Sequence, residues 1–344
     1  MKIRASRESF VLAFGLTAPY ILSSIFYPIA IVRTIITREP KTPKVNLLIY
    51  QLVIPIIIIK ALNTGVSATY ISMKAYFGFL IFYWYFKTTA AKGINLNIIT
   101  IIASLITMAD AFLLNTYSPF LDIPAYGGQS TYKFFLSFFR PKGFGINSTV
   151  TSCLLVSLLF YGKSTSGLSR YTEILCISAV ILCLSGTGLI LIAAYLLIRL
   201  KGIFILAIVI PWIILHDSNM YINHITWKIH PDHISRLFDL KLERWEAVIA
   251  WYQNSSIKEF LIGYDAAPFG GDFGYVDMIR ALGIIGSLLL SYLIITKLTK
   301  TNFSAVMCIL IGSFHYAVFS PIAGQILLGM YLANPNITGK RDEL

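Results

Sequence analysis

The sequence contains few charged residues for its length. Aspartate, glutamate, lysine and arginine make up 13% of its 344 residues, and 56% are hydrophobic, whereas about 25% of an ordinary soluble domain is charged. A chain with so few charges cannot cover its surface with polar groups, so we expect lipid to surround it. Because the apolar runs are continuous rather than alternating, helices are favoured over a membrane β-barrel. The sequence therefore predicts an all-α, polytopic transmembrane helical bundle.

The sequence also lacks the common motifs of cofactor and metal sites. It has no P-loop, no dinucleotide fingerprint and no zinc-type spacing of cysteine and histidine. The four cysteines lie in apolar runs and are expected to be core residues. His224, His230 and His233 do not have the i, i+4 spacing of a helical metal pair. We therefore expect a function that needs neither a metal ion nor a cofactor.

The formal charge of +12 does not require a nucleic-acid partner, because lysine and arginine are concentrated in the cytoplasmic loops of membrane proteins. The basic short loops predict about 11 spans, with a twelfth allowed. The predicted spans are residues 10–31, 46–62, 66–86, 97–115, 148–162, 171–185, 188–200, 202–215, 275–295, 303–319 and 322–332.

One conflict concerns residues 10–31. The basic residues before this stretch place the N-terminus in the cytoplasm, whereas a single span before Arg33 places it outside. The stretch contains Gly15, Pro19 and Pro28, so it can bend into a hairpin or lie partly in the membrane interface.

The predicted topology divides the chain into six parts. These are N-terminal transmembrane helices (1–115), a first outer loop (116–147), further transmembrane helices (148–215), a large outer loop (216–274), C-terminal transmembrane helices (275–334) and a cytoplasmic tail (335–344); the family resemblance given below implies that the outer side is the periplasm of a bacterial inner membrane. The large loop holds eight of the 16 acidic residues, and its residues 234–253 have the periodicity of an amphipathic helix. Lys60, Lys74 and Asp110 interrupt spans, where they either snorkel, line a cavity or pair between helices.

Candidate binding residues lie in or beside the two outer loops. Arg140, close to Gly143 in the first loop, can bind a diphosphate through two hydrogen bonds, or it can extend to lipid headgroups instead. Arg236 and Arg244 are about two helical turns apart. They can hold a phosphate together or pair with nearby carboxylates. The Ser-Gly-Thr-Gly segment at 185–188 either lets a substrate approach the backbone or is a tight helix connection.

Acidic residues also lie where the large loop enters the next span. Asp272 stands among glycines without a local partner in the sequence, which makes it the stronger candidate for a general base. Asp277 and Arg280 are one turn inside the span, where charged residues usually face a pocket. At i, i+3 these two residues can also pair with each other.

The order of these features resembles the bacterial O-antigen and exopolysaccharide polymerase (Wzy-type) family, which is related to the O-antigen ligases. The resemblance extends from about residue 140 to the end, and its elements are Arg140-x-x-Gly143, Ser185-Gly186-Thr187-Gly188, Arg244-Trp245, Gly263-Tyr264, and Asp272 followed by Gly283-x-x-Gly286. The Arg-Trp and Gly-Tyr elements depart from the family's Arg-x-x-x-Trp and Gly-x-Gly patterns. The N-terminal third resembles the family only in hydropathy.

This resemblance implies a metal-independent membrane glycosyltransferase, a polysaccharide polymerase at the periplasmic face. Such an enzyme transfers a glycan from undecaprenyl diphosphate onto another lipid-linked repeat unit. Its expected partners are undecaprenyl-diphosphate-linked oligosaccharide, membrane lipid and, as further candidates, a chain-length regulator and a flippase of the same pathway, with no nucleic acid. The residues expected to bind diphosphate are Arg140, Arg236, Arg244 and Arg280, and those expected to stack on the glycan are Trp245 and Tyr275.

The resemblance also bears on the general base. The expected base is Asp272. His230 and His233 are its rivals, because the ligases carry a histidine at the position that corresponds to Asp272.

Other functions fit parts of the sequence. A lipid-linked glycan transporter or flippase is expected to have buried charges in many spans and internal repeats, whereas here the polar residues concentrate in one outer loop and no repeat is clear. A non-catalytic membrane scaffold would not need paired outer arginines. Within the enzyme class, an O-antigen ligase is the alternative.

Overall fold

The computed structural model of the chain describes residues 7–17, 24–36, 47–88, 94–116, 143, 147–165, 167–183, 185–200, 231–264 and 273–334. These residues form fourteen helices and no β-strand, which confirms the all-α prediction for this part of the chain. The helices are α1 (Arg7–Thr17), α2 (Phe26–Ile36), α3 (Leu47–Thr64), α4 (Val66–Phe77), α5 (Phe79–Thr88), α6 (Leu96–Thr116), α7 (Ser148–Thr165), α8 (Arg170–Leu182), α9 (Gly186–Leu200), α10 (Pro231–Asn254), α11 (Ile257–Ile262), α12 (Gly274–Ile295), α13 (Phe303–Gly312) and α14 (Ile322–Ala333).

Two helices lie at the centre of the bundle. Every residue of α7 from Ser148 to Gly162 is buried, and α14 is buried over its whole length. Helix α7 packs against α6, α8, α9 and α13, and α14 packs mainly against α5. The hydroxyls of Ser157 and Tyr331 are 2.9 Å apart and share a hydrogen bond. A helix that is buried on every side needs other helices around it, and these two are therefore the core that positions the rest.

Most apolar helices in the described part are short. By length and composition, α12 is long and apolar enough to cross a bilayer. Six other helices have apolar stretches of 10–17 residues with described side chains, and two of these helices, α3 and α6, extend to 18 and 21 residues. A straight span needs about 20 residues. The described helices are thus typical of association with a membrane, but their lengths differ from those of a simple series of spans.

The N-terminal stretch forms a helical hairpin. The Ser9 hydroxyl in α1 accepts a hydrogen bond from the backbone N–H of Asn95 at 2.8 Å, and the Arg33 guanidinium in α2 donates to the Tyr85 hydroxyl at 3.5 Å. The start of α1 therefore lies beside Asn95, and the end of α2 lies beside Tyr85. A single span at 10–31 is replaced by two 11-residue helices.

Helices α13 and α14 form a second hairpin. The Asn302 side chain donates to the Tyr331 carbonyl at 2.9 Å, which places the start of α13 beside the end of α14. The predicted span 303–319 ends at Gly312, and the Ser313 hydroxyl in the following turn accepts from the Val318 N–H at 3.1 Å. The two helices have 10 and 12 residues, so each is about 15–18 Å long, roughly half of a bilayer core.

A predicted span is broken at Gly78 into α4 and α5. The Gln325 side chain from α14 fills this break. Its nitrogen lies 2.9 Å from the Lys74 carbonyl and 2.6 Å from the Ser320 carbonyl, and its oxygen accepts from the Tyr27 hydroxyl. A Cβ atom at position 78 would collide with Gln325. The buried amide thus supplies hydrogen bonds to backbone groups that a broken helix leaves exposed.

Helix α12 is broken as well, at Gly283, where the large loop packs onto it. Gly283 has a φ of +70° and Gly263, which follows α11, has a φ of +80°. A Cβ atom on Gly263 would lie 2.6 Å from the Gly283 nitrogen. The Tyr264 N–H donates to the Arg280 carbonyl at 3.0 Å, so backbone meets backbone with no room for side chains. This contact fixes the end of α11 against the middle of α12.

We predict that Gly283→Ala lowers the thermal unfolding midpoint of the purified protein more than Gly65→Ala does. Both glycines have φ and ψ values in a region that other residues rarely adopt, so both substitutions cost about 1–3 kcal/mol in backbone strain. Only at Gly283 does the new Cβ also meet backbone atoms, whereas nothing lies within 4 Å of it at Gly65. Equal shifts for the two variants would show that the α11–α12 contact is not close-packed.

Candidate functional site

A polar cluster lies where α7 and α9 begin. The Asn147 side-chain oxygen accepts from the Val150 N–H at 2.9 Å, and the Ser185 hydroxyl accepts from the Gly188 N–H at 3.3 Å. Both helices therefore begin with a side-chain cap, which explains the Asn-Ser-Thr and Ser-Gly-Thr-Gly segments locally. The N-terminus of a helix carries a partial positive charge and N–H groups without a partner inside the helix. Two such helix ends lie in this cluster.

The two helix ends contact each other. The Ser185 hydroxyl donates to the Thr149 hydroxyl at 3.1 Å. Gly188 packs so closely on Ser152 that a Cβ atom at position 188 would lie 2.5 Å from the Ser152 Cβ. Glycine is thus required at 188 by the approach of α9 to the first turns of α7.

Gly143 reaches the same part of α7. The Asp110 carboxylate, near the end of α6, accepts a hydrogen bond from the Gly143 N–H at 2.8 Å. Gly143 has a φ of +61°, and a Cβ atom there would lie 2.6 Å from the Thr151 methyl group and 2.8 Å from the Thr107 hydroxyl. Gly143 therefore fits between α6 and α7 because it has no side chain.

These contacts bring two separate sequence elements together. Gly143 touches Thr151, while Ser185 and Gly188 touch Thr149 and Ser152 on the same turn of α7. We call this group of residues the hydroxyl cluster; it consists of Asp110, Gly143, Thr149, Thr151, Ser152, Ser185 and Gly188. Hydroxyl groups and helix N-termini can donate hydrogen bonds to phosphate groups, but the cluster also contains the Asp110 carboxylate, and its Ser185 hydroxyl and Gly188 N–H already bond within it. An anionic ligand beside the cluster would therefore need a nearby cation.

Several predicted site residues lie outside the described residues. These are Arg140, His230 and Asp272, and for His233 and Arg236 only the backbone, within α10, is described. Their predicted roles in diphosphate binding and proton transfer stay predictions.

Two predicted residues lie on the described half of α10. Arg244 is partly buried, and Trp245 is 49% exposed. The Trp245 ring lies 5.8 Å from the ring of Phe273, the residue that precedes α12. Helix α10 thus contacts the start of α12, and Arg244 and Trp245 lie near the place where the chain enters that helix.

Tyr275 and Arg280 lie in the first half of α12. The Tyr275 hydroxyl donates to the Leu310 carbonyl at 2.7 Å, and its ring centroid is 4.8 Å from that of Phe314. Tyr275 is therefore tied to α13 and the turn after it, and its contact with glycan stays a prediction. Arg280 is partly buried, next to the break at Gly283, and its diphosphate role likewise stays a prediction.

The structure adds one residue that the sequence did not place in the site. The expectation that Asp110 lines a cavity or pairs between helices stays a prediction, and its carboxylate accepts a hydrogen bond from the Gly143 N–H. The sequence signal for this contact is an acidic residue near the end of an apolar helix, followed by a loop with glycines. That pattern is common, and only the tertiary structure shows which glycine the carboxylate binds.

We predict that Gly143→Ala lowers the unfolding midpoint and that Thr151→Ser restores part of the loss. The serine removes the methyl group that would lie 2.6 Å from the new Cβ, although the strain of the positive φ remains. The measurement is a double-mutant cycle of thermal unfolding midpoints, with Thr151→Ser alone as the control. Strictly additive effects of the two changes would contradict the close contact of Gly143 with Thr151.

Comparison with known proteins leaves the function to be argued from these residues. Among the residues that the structure describes, no group of three histidine, cysteine, aspartate or glutamate side chains could hold a metal ion. No family model matches the chain, and no curated protein and no solved structure matches it either.

Proposed function

We propose that this chain is a multi-pass protein of the bacterial inner membrane. Large apolar side chains are exposed on several helices, with exposed fractions of 76% for Ile36, 81% for Leu62, 76% for Val66 and 65% for Leu288. Surfaces of this kind are unfavourable in water and favourable in lipid. The two hairpins of half-length helices then lie within the bilayer, where the first packs against α5 and α6 and the second against α5 and α7.

Within the membrane, we propose that the chain is a polysaccharide polymerase. In this reaction a hydroxyl oxygen of the acceptor repeat unit forms a bond to the anomeric carbon of the donor glycan. The bond between that carbon and the diphosphate oxygen breaks, and undecaprenyl diphosphate leaves with the electron pair. The acceptor hydroxyl gives its proton to a general base, for which Asp272 is our first candidate and His230 and His233 are the rivals. No metal ion is required if arginines stabilise the leaving diphosphate.

The observation that carries this proposal is the meeting of two motif elements on one turn of α7. Arg140-x-x-Gly143 and Ser185-Gly-Thr-Gly188 are two of the elements whose order resembles the polymerase family, and Gly143, Ser185 and Gly188 all belong to the hydroxyl cluster. Arg140 is three residues before Gly143, and three residues span at most about 11 Å. Because Gly143 is bonded to Asp110, the length of three residues limits the distance between Arg140 and the hydroxyl cluster. In the proposal, Arg140 and the two helix N-termini bind the diphosphate together.

A second observation supports the placement of the acceptor side. Trp245 contacts Phe273, and Phe273 directly follows Asp272 in the sequence. Trp245 thus lies beside the residue that follows the proposed base in the sequence.

We predict that cells whose only copy carries Asp272→Ala lose polymer longer than one repeat unit, while single units are still attached. Asp272 would take the acceptor proton, so its loss should slow polymerisation by about 10²–10⁴-fold. Gel analysis of polysaccharide length measures the effect, and a membrane blot confirms equal protein levels. Asp239→Ala is the matched control, because Asp239 is an exposed carboxylate in the same loop.

Three results would change the proposal in different ways. Unchanged long polymer in Asp272→Ala would remove Asp272 from the mechanism. Equal loss of polymer in Asp239→Ala would show that the loop, not the base, had been disturbed. Loss of the single attached unit as well would favour the ligase or transporter alternatives.

The second candidate is a transporter of lipid-linked glycan, which the broken helices favour. Transporters bind their substrates at interruptions of membrane helices, and the described helices are interrupted at Gly78 and Gly283. A flipping assay with a fluorescent lipid-linked oligosaccharide in proteoliposomes separates the two candidates. Transfer of the label between leaflets without chain growth would establish the transporter.

A further inference from the structure

Lys74 carries a charge on α4, a helix that the proposed fold places in the membrane. It is nine residues from Gly65, which corresponds to about 13 Å along the helix. A hydrocarbon core is about 30 Å thick. Charged residues at such depth are rare and usually pair or bind a ligand, so the surroundings of Lys74 need an explanation.

The described neighbours of Lys74 carry no negative charge. Its ammonium group donates to the Ser24 hydroxyl at 3.3 Å and lies 5.5 Å from the centre of the Tyr27 ring and 6.0 Å from that of the Tyr70 ring. No carboxylate among the described residues forms an ion pair with it. One long hydrogen bond and two ring faces stabilise an ammonium group, but they do not neutralise it.

The direction of the side chain brings the charge towards the Gly65 end. Side chains on a helix point towards its N-terminus, and Tyr70, which the ammonium contacts, is one turn before Lys74. One turn is about 5.4 Å, which leaves the ammonium about 8 Å from the level of Gly65. Long basic side chains extend towards the lipid headgroups. A lipid phosphate therefore needs only a small displacement into the membrane to reach the Lys74 ammonium group.

The site is also open on its outer side. Tyr70 is 63% exposed and the neighbouring Ile71 is 52% exposed, so lipid would cover this part of α4 in a membrane. On its inner side, Ser24 lies in the turn before α2, and the Tyr27 hydroxyl is held by Gln325. Ser24 and Tyr27 are therefore held in place by the fold, and the side of the site at Tyr70 and Ile71 faces the bilayer.

We propose that Lys74 and Ser24 bind the phosphate group of an anionic membrane lipid, beside the rings of Tyr27 and Tyr70. The ammonium group supplies the charge and a donor, and the Ser24 hydroxyl can turn to donate a second hydrogen bond to a phosphate oxygen. The apolar surface around Ile71 receives the acyl chains. This inference concerns lipid binding alone and holds whether or not the chain transfers glycan.

Native mass spectrometry of the full-length protein in a mixture of phosphatidylglycerol and phosphatidylcholine tests the proposal. We expect the wild-type protein to retain phosphatidylglycerol preferentially and Lys74→Gln to lose this retained lipid. Lys74→Arg should keep it, because the positive charge stays. Lys87→Gln is the matched control, since it removes the same charge from an exposed position near the end of α5.

Further variants keep the test decisive. If Lys74→Gln does not fold, Tyr70→Leu is measured instead. Tyr70 is exposed, so this variant removes a ring beside the ammonium group without changing the core, and we expect it to lose the retained lipid as well. Equal loss of lipid in Lys87→Gln would show that retention follows net charge and would overturn the proposal. Displacement of the lipid by excess pyrophosphate would show that the site takes a free anion and would overturn the assignment to lipid.

Discussion

Buried backbone groups that a broken helix leaves free must find partners inside the protein, because neither a protein core nor lipid offers water to them. The structure meets this constraint at Gly78 with one buried side chain, Gln325, which reaches carbonyls on both sides of the contact between α4 and α14. The same amide receives the Tyr27 hydroxyl from the N-terminal hairpin. Helices from the beginning, the first third and the end of the chain are thus joined at one point, and α14 can be buried on all sides because these partners surround it.

At the second break, in α12, backbone groups rather than a side chain supply the partners. At Gly283 the end of α11 approaches α12, and the Tyr264 N–H bonds the Arg280 carbonyl. The glycines at 263 and 283 are therefore needed for contact rather than for flexibility. In the hydroxyl cluster, Gly143 and Gly188 have the same purpose, since each lets a loop or helix end touch α7. The proposed chemistry depends on these contacts, because they bring the elements beside Arg140 and Ser185 to one turn of one helix.

Hydropathy predicted the bounds of most described helices closely, but it did not predict where helices are interrupted or end early. The predicted span 97–115 corresponds to Leu96–Thr116 and the predicted amphipathic helix 234–253 to Pro231–Asn254, because a continuous or periodic apolar pattern reports burial directly. The break at Gly78 and the early end of α13 depend on partners that are distant in the sequence. A glycine within an apolar run does not show whether a glutamine more than two hundred residues away will fill the gap.

The candidate site shows the same division. Arg140, Gly143 and the 185–188 segment were recognisable as motif elements, because a basic residue in a predicted outer loop is uncommon and a Ser-Gly-Thr-Gly segment interrupts two apolar runs. The convergence of Gly143, Ser185 and Gly188 on Thr149–Ser152, and the part of Asp110 in it, required the packing of α6, α7 and α9.

The most direct test of the central claim is reconstitution of the purified chain alone with undecaprenyl-diphosphate-linked repeat units in liposomes. The reaction products would be separated on a gel by the number of repeat units. We expect a ladder of lengthening chains together with release of undecaprenyl diphosphate, formed without added metal ions. Donor lipid that stays at one repeat unit, in protein that is folded and correctly inserted, would contradict the assignment as a polymerase.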